Sequence, residues 1–163
     1  MEKKPTSRVK IRFQDCDPFN HLNNGRFLDY FFNAREDHLT EHYNLDIFTQ
    51  LKKTGCAWVV ASNQIAYLKP AMVAEEVVIE TKLIEYSERA LTAEMLMWNA
   101  DQTHLKAILW VKFSYFEFAT QKSAVHSQEL IELFEQVVVP VETTVFETRI
   151  GEIMQLVKSG KPV

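Results

Sequence analysis

The chain has 163 residues, which suits one domain with a substantial core rather than two. Its formal net charge of −4, with 47% apolar and 25% charged residues, is ordinary for a globular protein and gives no basic footprint for nucleic acid. No apolar run approaches the ~20 residues of a membrane span, and Met1 to Ser7 lacks the apolar core of a signal peptide, so a cytoplasmic protein with reduced Cys16 and Cys56 is expected.

Arg8 to Phe13 alternates basic and apolar residues, the period-2 signature of a half-buried strand. Residues 14–23 follow as a polar loop. From Asn24 to Tyr43, Phe27, Leu28, Phe31, Ala34 and Leu39 recur at helical spacing, and Asn23 and Asn24 are good capping residues for this long helix. Leu45 to Lys53 reads as a short second helix stopped by Gly55. Four long strands come next: Ala57 to Leu68, Val77 to Tyr86, Ala90 to Asn99 and Leu105 to Phe118. Ser87 to Arg89 and Asn99 to Gln102 read as hairpin turns, so the pairing is antiparallel. Trp58, Trp98, Trp110, Met95 and Met97 are assigned to packing.

After the break at Thr120 to Ser123, Ser127 caps a helix over Glu129 to Phe134. Val137 to Pro140 interrupts it, and Thr143 to Val157 forms a last helix with Phe146, Ile150, Ile153 and Leu156 on one face. Strands grouped apart from helices indicate an α+β fold, a curved antiparallel sheet wrapped on one long helix. The whole chain reads as one domain, with a core over residues 8–118 and a helical extension over 124–163.

The chemistry is concentrated between Asp15 and Asn24, ten residues that carry two carboxylates, an imidazole and three amides. Asp17 can attack a carbonyl or activate water, although an Asp before Pro is also a common turn residue. His21 can act as a base or hydrogen-bond a substrate carbonyl. Asn23 and Asn24 can cap the helix or position a thioester or water. The backbone N–H groups near Asn24 and Gly25 can donate to an oxyanion at the helix start. Asp15 is read as a tie to a neighbour such as Arg35. Cys16, flanked by two carboxylates, is rejected as a nucleophile. His38 and His42 are assigned to an exposed helix face rather than to a metal, and no metal site is expected. Only four glycines occur, with neither a dinucleotide nor a Walker-type phosphate loop.

The pattern Asp15-x-Asp17-x-x-x-His21-x-Asn23-Asn24-x-x-Phe27-x-x-x-Phe31-x-x-Ala34-Arg35 resembles the hotdog-fold acyl-CoA thioesterases of the 4-hydroxybenzoyl-CoA thioesterase type. Ile65-x-Tyr67-x-Lys69-Pro70 with Val77-x-Ile79-x-Thr81 looks like that family's strand pair. The resemblance implies a hotdog fold, homodimers or tetramers with sites at the subunit interface, and hydrolysis of an acyl thioester of coenzyme A or acyl carrier protein. It makes Asp17 the nucleophile or general base and the Asn24 backbone N–H the donor to the thioester carbonyl. His21 and Asn23 match a form with His-x-Asn-Asn, where another branch has a different stretch. Coenzyme A enters as part of the substrate and no separate cofactor is implied; Lys69 and Arg89 are candidates for its phosphates. Two alternatives accompany this reading: a non-catalytic acyl-thioester binder, and a hotdog hydratase or dehydratase. The hydratase motif resembles Asp-x-Asn-Pro-x-His, and neither Asp15 nor Asp17 stands at that spacing from His21.

Overall fold

A computed structural model describes residues 1–163. The strands are β1 Thr6–Lys10, β2 Cys56–Tyr67, β3 Glu76–Tyr86, β4 Ala90–Asn99, β5 Leu105–Glu117 and β6 Lys122–Ser123. The helices are α1 Phe27–Tyr43, α2 Ile47–Thr54, α3 Gln128–Val137 and α4 Phe146–Lys158. All strand pairs are antiparallel, in the order β1-β3-β4-β5-β2, with β6 beside the end of β5. Register shifts at Val60/Ser62, Leu83/Glu85 and Met97/Trp98 bend the long strands, because a bulge adds local twist. The sheet curls round α1, as the periodicities and the resemblance imply.

α1 follows from its stripe. Phe27, Tyr30, Phe31 and Ala34 pack into one core with Ile79, Ala93, Met95, Leu109 and Val111 of the sheet, and His38 and Leu39 are buried further along the helix. Asn44 ends the helix in the left-handed conformation, φ 52°, with its N–H on the Leu39 carbonyl. α2 starts at Asp46, whose side chain accepts the Thr49 N–H, and stops at Gly55, φ 72°. α3 starts at Ser127, whose Oγ accepts the Leu130 N–H, and adds Leu130, Phe134 and Val137 to the same core. α4 does something different. Its Phe146 and Ile153 lie on the outer face of the sheet with Val78, Ile84, Leu96, Trp98, Ile108 and Trp110. The sheet is thus covered on both faces along its central strands, which explains why β4 is buried over most of its length.

Some expectations are corrected. The first strand ends at Lys10 rather than Phe13, because β3 stops pairing at Glu76 and the chain turns through a tight helical turn at Phe13–Asp15. The break at Thr120 to Ser123 contains the two-residue strand β6. α4 starts at Phe146 rather than Thr143, whose Oγ1 instead accepts the Val145 N–H.

His38 is not on an exposed face: it is 1% exposed. Its Nδ1 bonds Thr81 Oγ1 at 2.8 Å, while Nε2 has no partner. Burial, with His42 and Arg35 adding to it against Asp37, pulls its pKa down to about 4. The unfolded chain therefore takes up the His38 proton near pH 6.5, and the folded chain only near pH 4. Stability is full above pH 6.5 and falls as the pH drops through that window. Urea unfolding at pH 7 and pH 5 should show a loss on the order of 1–2 kcal/mol from this group. His38→Gln, which keeps a partner for Thr81, should flatten the slope; an unchanged slope would remove His38 as its origin.

Candidate functional site

The polar loop is folded on itself before it meets any ligand. Asp17-Pro18-Phe19-Asn20 is a turn in which Pro18 presets the backbone and Asn20 takes the left-handed conformation, φ 61°. The Asn20 N–H donates to the Asp17 carbonyl at 3.0 Å, and the Asp17 N–H to the His21 carbonyl at 2.8 Å. Cys16 pairs with Leu22, and the Asn23 N–H donates to the Asp15 carbonyl at 2.9 Å. The result is a short hairpin that brings Asp17 and His21 opposite each other, two rungs from Asn23. A second strip, Ala71 to Val73, backs this hairpin. Leu22 N–H donates to Ala71 O, and Val73 N–H to Asn20 O. Lys106 fastens the strip from below, with Nζ 2.8 Å from both the Pro70 carbonyl and Glu75 Oε1.

Asp17 is partly exposed. Its Oδ1 accepts the backbone N–H of Phe19 at 2.9 Å and of His21 at 3.1 Å. The turn role and a chemical role therefore fall on different oxygens, since Oδ2 has no partner in the chain. The His21 side chain makes no hydrogen bond; its ring lies 6.4 Å from that of Phe19. Asn23 is a cap: its Oδ1 accepts the Gly25 N–H at 2.9 Å. This corrects the expectation for Gly25, whose N–H is occupied and cannot serve an oxyanion. A side chain at position 25 would bring a Cβ to 3.3 Å from that cap oxygen, a tight contact to which the cap would have to yield. The Asn24 N–H opens the helical turn Asn24–Arg26 that runs into α1, and it bonds no side chain and no loop carbonyl. A free N–H at a helix start is an anion-directed donor.

The other candidates separate. Asp15 does not bind Arg35: its Oδ2 accepts from Tyr30 Oη at 2.8 Å, and Tyr30 in turn accepts the Arg12 N–H at 2.9 Å. Arg35 lies with its guanidinium 5.2 Å from the centre of the Phe113 ring, and burial lowers its pKa to about 10. Burial and the two flanking carboxylates push the Cys16 thiol up, against a thiolate. Lys69 is exposed two residues beyond Tyr67, at the site's end of the sheet. Arg89 lies away from the loop of its own chain. It stands in the β3–β4 turn, about 30 Å along β3 from Glu76, with Nη1 on the Ser123 carbonyl at 2.9 Å. The His38 and His42 rings are 6.0 Å apart, and no third His, Cys, Asp or Glu joins them as a metal cluster.

Two residues at the site escaped the sequence reading. Tyr30 fixes the first carboxylate of the loop. Tyr67, the last residue of β2, donates its hydroxyl to the Asn24 carbonyl at 2.9 Å and meets the Phe27 ring edge-on at 5.0 Å. Its only signal was its place in Ile65-x-Tyr67, read there as strand pattern.

Residues 11–134 match the family model described as the thioesterase-like superfamily. The long-chain acyl-CoA thioesterase FadM of Escherichia coli (strain K12) is 26% identical over 132 residues, which are 81% of this chain and 98% of FadM. Slr0204 of Synechocystis, a 1,4-dihydroxy-2-naphthoyl-CoA thioesterase, superposes with a TM-score of 0.75 at 15% identity, over 84% of this chain and 99% of that one. A DHNA-CoA thioesterase from Staphylococcus aureus superposes with a TM-score of 0.69 at 17% identity, over 98% of this chain and 97% of the other. The last two are likenesses of fold, and the fold they share with this chain is the hotdog.

Proposed function

The chain belongs to the thioesterase-like superfamily, and from that premise we propose that it hydrolyses acyl-CoA thioesters to a carboxylic acid and free coenzyme A. The observation that carries the reading is that two groups seven residues apart have no partner in the chain: Asp17 Oδ2 in the hairpin and the Asn24 N–H in the helical turn that follows it. The Asn24 N–H polarises the thioester carbonyl and receives the charge that develops on its oxygen. Asp17 acts as base or as nucleophile. As base, it takes a proton from water while the water oxygen bonds the carbonyl carbon; the C–S bond then breaks and the thiolate leaves with a proton. As nucleophile, Asp17 Oδ2 bonds the carbonyl carbon and the C–S bond breaks to release coenzyme A thiolate, which takes up a proton; water then opens the mixed anhydride to the acid and the Asp17 carboxylate. Asn23 keeps the helix start in shape, and His21 lines the same side of the hairpin as Asp17. Lys69 is our candidate for a coenzyme A phosphate from the same chain as the loop; Arg89 lies far from the loop of its own chain.

The acyl group is proposed to be aliphatic, by analogy with the long-chain acyl-CoA thioesterase FadM. The test is thiol release from coenzyme A esters of increasing chain length. Turnover of at least one class supports the reading. Tight binding of acyl-CoA without thiol release would replace it with a binder, and hydration of crotonyl-CoA would replace it with a hydratase.

The functional unit is proposed to be a dimer. β2 is an unpaired sheet edge of 12 residues, with Val60 47% exposed on it and Phe19 76% exposed in the loop. A long open edge with apolar side chains invites a second strand. Light scattering should give twice the chain mass, or four times; a monomer at micromolar concentration would overturn this.

A further inference from the structure

We propose that Tyr67 is a positioning residue for catalysis, which holds the Asn24 peptide so that its free N–H stays aimed at the substrate oxygen. The proposal rests on the thioesterase reading above and adds a residue to it.

Asn24 is flanked by two planar peptide groups. On its N-terminal side, the Asn23 carbonyl accepts the Arg26 N–H at 2.8 Å. On its C-terminal side, the Gly25 N–H is held by Asn23 Oδ1 at 2.9 Å and the Asn24 carbonyl by Tyr67 Oη at 2.9 Å. Three of the four polar groups around this α-carbon are thus engaged, and the fourth is the Asn24 N–H. The bonds from Asn23 and Arg26 are local and can breathe together with the helix start. The bond from Tyr67 comes from outside. It ties the first turn to β2, whose last residue is paired opposite Ala107 of β5. The Tyr67 ring is itself kept in place by the edge of Phe27.

Burial does not force this bond. Tyr67 is 42% exposed and Asn24 is exposed, so water could satisfy both groups. Its loss should leave the fold almost as stable as before. An oxyanion donor, by contrast, works only when it is oriented before the charge appears, because reorientation during reaction cancels its advantage. A bond with little structural value therefore has its main consequence in the rate.

Tyr67→Phe removes the hydroxyl and keeps the ring against Phe27. We expect kcat to fall about tenfold with KM within about threefold, and the melting temperature to move by less than about 2 °C. We also expect the Asn24 and Gly25 amide resonances in a nitrogen-15 spectrum to shift, with the α1 amides beyond Phe31 unmoved. Unchanged kcat overturns the positioning role. Unmoved Asn24 and Gly25 resonances overturn it as well, even in an active enzyme. A wild-type chain that releases no thiol from any acyl-CoA overturns the thioesterase reading and the catalytic role with it; the amide shift, which needs no activity, then separates a real clamp from a false one.

Discussion

Asp17→Asn should lower kcat for acyl-CoA hydrolysis by at least about a hundredfold while leaving the loop folded. The two halves of that expectation come from two oxygens of one carboxylate. Oδ1 accepts the Phe19 and His21 N–H groups, and an amide oxygen accepts them equally well. Oδ2 is the atom available to reactants, and an amide nitrogen there neither takes a proton from water nor attacks a carbonyl. The Asn variant therefore removes the chemistry and keeps the turn. Asp17→Ala removes both, and should add a stability loss of about 1 kcal/mol, in the range of other lost side-chain caps. Comparison of the two variants by melting temperature and thiol release separates catalysis from loop architecture. Undiminished release by the Asn variant would remove Asp17 from the reaction. Where the Asn variant loses release, a single wild-type turnover in oxygen-18 water tests the nucleophilic role: label in the Asp17 carboxylate shows that an anhydride formed and that water opened it at the Asp17 carbon.

How far the sequence alone leads depends on whether the decisive contact is local. α1 was legible because its apolar residues repeat at helical spacing, but it starts at Phe27 rather than Asn24, since Asn23 caps the helical turn Asn24–Arg26 that leads into it. The long strands and their hairpins were legible because alternating and apolar runs are separated by polar turns. His38 was misread from its pairing with His42, four residues on. Its position relative to Phe27, Phe31 and Ala34 sets it on their buried stripe, and that was the signal to use. The strand carrying Glu80 and Lys82 looks half solvated, since charges alternate there with Ile79, Thr81 and Leu83. What covers those charges is α4, more than sixty residues later, and no local pattern announces it.

The site divides in the same way. The loop was found because its residue types are chemically unusual together. Which of its groups are free was not readable, since that depends on where each hydrogen bond ends. The Gly25 N–H looked available until the Asn23 side chain was found on it. Asp15 looked like a partner for Arg35, two turns along α1 from the loop, whereas the nearer Tyr30 reaches it first. Tyr67 enters from 43 residues away. A sequence names the groups that can react; the fold decides which of them are left unoccupied.

Removing Arg149 should cost about 3–5 kcal/mol, as much as truncating a buried core aromatic. On the outer face of the sheet Glu94 is fully buried. It receives Arg149 through Nε at 2.9 Å and Nη2 at 3.0 Å, Lys82 Nζ at 2.8 Å and the Trp110 indole N–H at 2.8 Å. Burial alone would push the Glu94 pKa up. The Arg149 hydrogen bonds, the Lys82 charge and the Trp110 donor outweigh it and hold the pKa at about 2. The stability from Glu94 is thus full above its ordinary value near 4.5 and is lost as the pH falls toward 2. Arg149→Ala leaves a buried carboxylate with weaker compensation and loosens α4, so the melting temperature should drop by on the order of 10 °C. The cluster is not needed for stability as such: replacing Lys82, Glu94 and Arg149 together by leucine or methionine should cost far less than the single change, because no uncompensated charge remains. Activity per folded molecule should stay at the wild-type level in both variants, since the cluster lies across the sheet from α1 and its N-terminus. A loss below about 1 kcal/mol in Arg149→Ala would show that Phe146 and Ile153 alone hold α4 to the sheet.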